Sequence, residues 1–164
     1  MVERKKTTKK LSGIVPVESP LKFGVTRKIP VDFSVYQTLY DNPITLLNSS
    51  KKGLPAKAAL DFLHLSGFSA EEFQETFKTS VKTIQNYSAG NLKLDAALSE
   101  KLLKSFSLFE KGISAFGSAK EFQCWLNVPS YGLSNQIPLE LMNTTTGIRL
   151  IEEELLRIQY GSLA

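Results

Sequence analysis

Residues 117–161 read GSAKEFQCWLNVPSYGLSNQIPLELMNTTTGIRLIEEELLRIQYG. The stretch opens on a capping box. Ser118 can accept from a backbone N–H of the first helical turn, and Glu121, three residues on, can reach back. Trp125 and Leu126 follow Phe122 by three and four residues, which puts all three on one face of a short helix. Asn127-Val128-Pro129 stops that helix, because a residue before proline is pushed out of the helical region. A loop with Tyr131, Gly132 and Asn135 follows, and Pro138 restarts a helical turn at its first position. Thr144 or Thr145 caps a last helix. Its apolar residues Ile148, Ile151, Leu155 and Ile158 repeat at three, four and three, and Gly161 closes it.

The residues upstream follow the same grammar. Residues 95–116 give the longest helix, with Leu98, Leu102, Phe106, Phe109, Ile113 and Phe116 in one continuous apolar stripe. Lys101, Lys104 and Lys111 lie mostly off it. The stripe can join the preceding region to residues 117–164 or form part of a dimer interface, and spacing does not separate the two. Before it come three short helices. Pro55 opens the first, with Ala59, Leu60, Phe62 and Leu63 on its buried side and Gly67 at its end. Ser69 and Glu72 make a capping box for the second, which buries Phe73 and Phe77. A tight turn at Lys78-Thr79 leads to Ser80, the N-cap of the third, which buries Val81, Ile84 and Tyr87 before Gly90.

Such a trio with two tight turns fits a helix-turn-helix unit. Its last helix would present Lys82, Thr83, Gln85 and Asn86 to solvent, with Thr79 and Ser80 at its start. Gln and Asn can pair bidentately with adenine, and Lys can reach guanine O6 or N7. The same residues also suit the outer face of any soluble helix. Asp61, Glu71, Glu72 and Glu75 show that this module is not a basic footprint by itself.

Charge is unevenly placed along the 164 residues, which carry a net +4. Residues 1–52 hold ten Lys/Arg against four Asp/Glu, whereas residues 118–164 hold three against five. Residues 1–22 are basic, rich in Ser and Thr and poor in large apolar side chains, and read as an arm. Such an arm can grip phosphates non-specifically or simply keep the chain soluble. Residues 23–40 fit either a strand through Val31, Phe33 and Val35 or, as we prefer, a short helix ending before Asn42-Pro43. Asn42 then caps a helix with Pro43 at its first position.

The order Trp125-Leu126, Pro129, Leu133, Pro138, Leu141, Thr144, Gly147, Leu155, Arg157-Ile158 and Gly161 resembles the toxin-binding domain of the Xre/MbcA/ParS antitoxins. The resemblance extends upstream to about Pro43, and Thr79-Ser80-Val81-Lys82-Thr83-Ile84 looks like the family's turn and recognition helix. It implies an all-α fold. An N-terminal arm (1–40) precedes an Xre-like helix-turn-helix region with a long connecting helix (41–116) and a small helical C-terminal toxin-binding domain (117–164). It also implies an antitoxin that blocks a NAD-consuming RES-domain toxin and binds operator DNA as a homodimer; the want of a membrane span or a convincing signal peptide reads as cytoplasmic. In this family the C-terminal helix and end approach the toxin's active site, which maps onto Arg157, Tyr160, Gly161 and Leu163. Arg157 offers a planar donor fork, and Tyr160 and Leu163 offer interface anchors. Arg149, on the outside of the same helix, is a further candidate. A stand-alone DNA-binding regulator with a C-terminal dimerisation domain is the competing reading. Gln85-Asn86 stand where many relatives carry an arginine, so operator sequence does not transfer.

The residue inventory points away from catalysis. One His and one Cys, on separate expected helices, build no nucleophile–base set. The lone cysteine, Cys124, reads as a small buried hydrophobe, and His64 as an ordinary helix residue without a metal. Glu152-Glu153-Glu154 project in different directions and read as a solvated face or an acidic partner-facing patch. No cofactor is called for, and no apolar run approaches the roughly 20 residues of a membrane span.

Overall fold

The longest helix organises everything around it. A computed structural model describes residues 32–161, and in it α5, Ala96–Phe116, runs through the middle of the fold. Asp95 caps it by accepting from Leu98 N at 2.9 Å, and Gly117 ends it in the left-handed region at φ 91°. The expected stripe is there, but burial goes well beyond it. Ser99, Leu103, Ser105, Leu108 and Gly112 are also buried, so this is a helix enclosed on several sides. Small residues off the stripe make the enclosure possible, because neighbouring backbones can come close to Ser and Gly. Ser99 Oγ accepts from Leu54 N at 2.9 Å, and Ser105 Oγ folds back onto Lys101 O.

The other elements are laid against α5. A 3₁₀ turn, Phe33–Leu39, leads to α1, Pro43–Lys52, and both pack on it. The turn stands where a short helix is expected, and Asn42 caps α1 with Pro43 at its first position. Then come α2 (Lys57–Ser66), α3 (Ala70–Phe77) and α4 (Val81–Ala89). Pro55 does not open α2. It pairs with Lys93 in an isolated antiparallel bridge, which pins the α4–α5 connection to the α1–α2 connection. After α5 come α6 (Ala119–Leu126), a second 3₁₀ turn (Tyr131–Leu133), α7 (Pro138–Leu141) and α8 (Thr145–Gln159). The described residues form no named strand, so the fold is all-α.

Aromatic rings fill the centre. Phe62 meets Phe68, Phe77, Phe106 and Phe109 edge-on at centroid distances of 5.7, 5.4, 5.2 and 5.2 Å, the arrangement ring quadrupoles favour. Phe122 of α6 lies across α5 at Gly112, where a Cβ would stand 2.4 Å from the ring. Gly112→Ala therefore has to displace a ring already wedged against Phe109, Phe116 and Trp125. We expect a loss of about 1–3 kcal/mol, the usual cost of overpacking, visible as a lower midpoint in urea unfolding.

Helix starts largely follow the expected caps. Ser69 and Glu72 form the full reciprocal box on α3. Ser118 caps α6 through Glu121 N at 3.1 Å, but no return bond from the Glu121 side chain is made, so this box is half formed. Thr144 caps α8 through Gly147 N. Burial departs from expectation at Cys124 and Ile158. Cys124 is exposed, because two residues from Phe122 is the far side of a helix that buries Phe122 and Leu126. Ile158, expected in the core, is 40% exposed, because α8 runs past the elements that cover Ile151 and Leu155. The arm and residues 23–31 lie outside the described residues.

Candidate functional site

Two ends of the molecule carry the candidate residues. At the first, α3 stops at Lys78, whose φ of 56° turns the chain left-handed. Ser80 then caps α4 by accepting from Thr83 N at 3.1 Å, with Thr83 Oγ1 at 2.9 Å. Ser80 is thus committed to the helix start, and Thr79, Ser80 and Thr83 are half-buried around it. Ile84 is the buried anchor of α4, which packs on α2. Lys82, Gln85 and Asn86 are exposed and, at spacings of three and four, share one face. Tyr87, expected to be buried, is exposed, because the short α4 has only the turn around Ile84 to bury.

At the second end, α8 projects beyond the core. Tyr160 is 81% exposed, and Arg157 and Gly161 are exposed beside it. Arg157 Nε lies 2.8 Å from Glu154 Oε2. Glu154 overturns the view of the glutamate run as solvated or partner-facing. Glu153 is exposed and Glu152 pairs with Lys111 at 2.9 Å, but Glu154 is only 7% exposed. It faces the second 3₁₀ turn, where Ser130 Oγ donates to its Oε1.

Arg149 stands apart. It lies eight residues before Arg157, about 12 Å along the axis and about 80° round it. It lines a groove of about 660 Å³ between α1, α5 and α8, with Lys104, Lys111 and Glu152. The structure therefore groups Arg157, Tyr160 and Gly161 and separates Arg149 from them. Leu163 lies outside the described residues. Tyr131, which the sequence offers only as a loop residue, is 91% exposed. An aromatic flanked by Ser130 and Gly132 in a turn was the available signal.

Lys101 ties the end of α3 to the start of α8. Its ammonium donates to Thr76 O at the end of α3 and to Asn143 O just before α8, under the ring of Phe77. Burial, with Lys78 nearby, lowers its pKa. Burial raises the pKa of Tyr36, Tyr40 and Glu110, which belong to the packing of the first 3₁₀ turn and not to either end. Among the described residues no group of three His, Cys, Asp or Glu is placed to hold a metal ion, and no helix is long and apolar enough to cross a membrane.

Residues 46–106 match the antitoxin Xre-like helix-turn-helix domain, and residues 111–161 match the antitoxin Xre/MbcA/ParS C-terminal toxin-binding domain. The chain belongs to the Xre/MbcA/ParS antitoxins. No curated protein matches it. Both matches run into α5, so in this antitoxin the two halves share one helix. The α3–α4 turn falls in the first matched segment, and the Arg157–Tyr160 end of α8 in the second.

Proposed function

We propose that this antitoxin neutralises a NAD-consuming RES-domain toxin by laying the end of α8 over the toxin's active site, and that it represses its own operon through α4. The observation that carries the first part is the exposed Arg157–Tyr160 end of α8 inside a matched toxin-binding domain. Inhibition needs only a surface that fills the toxin's substrate pocket. Arg157 supplies a fork for carboxylates or backbone oxygens, and Tyr160 and Leu163 supply apolar contact. Neutralisation is tested by growth rescue. The adjacent gene is expressed alone and then with this antitoxin. Rescue supports the reading. A toxic neighbour left unchecked sinks it and favours a stand-alone regulator.

Operator binding rests on the exposed face of Lys82, Gln85 and Asn86, with Thr79 beside the helix start for a backbone phosphate while Ser80 and Thr83 are tied to each other in the cap. Recognition as a homodimer would place two such helices in successive grooves. Val35, Ile44 and Leu47, exposed on the first 3₁₀ turn and α1, are apolar side chains a dimer could cover. Changing Lys82, Gln85 and Asn86 together to Ala should abolish the operator shift in a gel assay and leave toxin rescue intact. An unaltered shift would take α4 out of the role.

A further inference from the structure

The sequence offers residues 128–136 as a loop without a binding role, yet the loop is built to present one side chain. Ser130 and Gln136 pair in an antiparallel bridge, with Ser130 N bonded to Gln136 O at 3.0 Å and Asn135 N to Ser130 O at 2.9 Å. Ser134 and Asn135 turn left-handed at φ 57° and 59°, and Leu133 is buried beneath. Tyr131 stands outward from this closed loop. A closed loop has little backbone freedom left to lose on binding.

Glu154 ties that loop to α8. Its carboxylate lies against the backbone at Gly132, where a Cβ would meet Oε2 at 2.0 Å. Only glycine permits this approach. Oε1 accepts from Ser130 Oγ at 3.2 Å. Oε2 has Arg157 Nε within 2.8 Å but receives no aligned hydrogen bond. A buried carboxylate is costly unless its partners are held in place. Here the partners are the loop on one side and Arg157 on the other. Just beyond, Ile158 continues the buried stripe of α8 into solvent. One buried carboxylate thus touches both neighbours of Tyr131, Ser130 and Gly132, and pairs with Arg157, with Ile158 and Tyr160 further along the same helix. Tyrosine and arginine over a desolvated support is the composition of an interface hot spot.

We infer that loop 128–136 is the second half of the toxin-contacting surface, with Tyr131 as its anchor and Glu154 as the positioning residue that sets Tyr131 and Arg157 in register. The occupant is the toxin itself, meeting this surface with an apolar pocket for Tyr131 and acceptor oxygens for Arg157. The whole loop lies within the residues that match a toxin-binding domain. The inference rests on the toxin-blocking reading above.

The test measures affinity of the full-length antitoxin for a catalytically inactivated form of the neighbouring toxin. Tyr131→Ala should weaken binding at least tenfold, with Tyr87→Ala, an exposed aromatic on α4, unchanged as control. Glu154→Gln and Arg157→Ala should each weaken binding, and the double variant should lose no more than the worse of the two, because they act as a unit. A purely structural Glu154 would give additive losses. Hydrogen exchange gives an independent readout: residues 128–136 should become protected in the complex. If the parent chain binds the toxin but Tyr131→Ala binds equally well and the loop stays unprotected, the inference falls and the toxin-blocking reading survives. If the parent chain does not bind the toxin, both fall.

Discussion

Phe106→Ala is expected to lower stability by about 3–5 kcal/mol, the range for emptying a fully buried aromatic position. Phe106 has no exposed surface. Four rings surround it: Phe33 at 6.0 Å, Tyr36 at 4.4 Å, Tyr40 at 6.5 Å and Phe62 at 5.2 Å between centroids. They come from the first 3₁₀ turn, the residue that ends it and α2, so one deletion loosens the packing of several elements on α5 at once. None of these rings can follow the cavity inward without breaking another contact. Tyr36 is held by its hydroxyl on Asp61, and Phe62 is wedged against three other phenylalanines. Domains of this size typically keep about 5–15 kcal/mol in reserve. The variant should therefore fold in the cold, and its melting temperature should drop by about 10 °C. A fall of under about 3 °C would mean that the core relaxes around the gap.

A chain ending at Leu156 should fold and yet fail to neutralise. The described residues it lacks, Arg157 to Gly161, are all exposed. Removing them takes away no core. The cost is the partner of Glu154, whose nearly buried carboxylate is left without its cation; the loss falls between about 1 kcal/mol for an exposed pair and about 3 kcal/mol for a buried one. Thermal melting should shift by less than about 10 °C. Growth rescue should be lost, because the truncation removes Arg157, Tyr160 and the tail together. Co-elution with the toxin on size exclusion checks the same point without relying on growth. Undiminished rescue by a folded truncated chain would move the inhibitory contact upstream.

Helix ends were the most legible part of this fold. Ser69, Ser80, Thr144, Asn42-Pro43 and Gly67 act locally, within three or four residues, so the sequence alone exposes them. The face of α4 with Lys82, Gln85 and Asn86 was legible for the same reason. Burial decided by distant segments was not. Spacing cannot tell that Leu103 and Leu108 are covered, because α5 is enclosed by elements on both sides of it in sequence. Nor can it tell that α8 outruns its cover at Ile158. Glu154 was misread because a charge run suggests solvent, and only the approach of Gly132 from 22 residues away reveals the exception. The Tyr131 loop was passed over because its presentation depends on that same contact.

The shared helix sets a rule for how partner choice can be exchanged between relatives. A crossover at Gly117 would transplant α6 to α8 without the surface they rest on, since α6 and α8 pack chiefly on α5, and α6 and α7 also touch α2 and α3. Ile148, Ile151 and Leu155 would then meet a foreign helix and a different set of ridges. A chimaera cut before Asp95 carries α5 along, but its seam then runs between α5 and the first 3₁₀ turn, α1 and α2, through the rings that surround Phe106, and where Lys101 reaches Thr76. No cut on either side of α5 spares its packing, so an exchange between relatives has to bring matching α5 contacts with it, and a swap that changes only the last helices should give insoluble chains rather than retargeted ones.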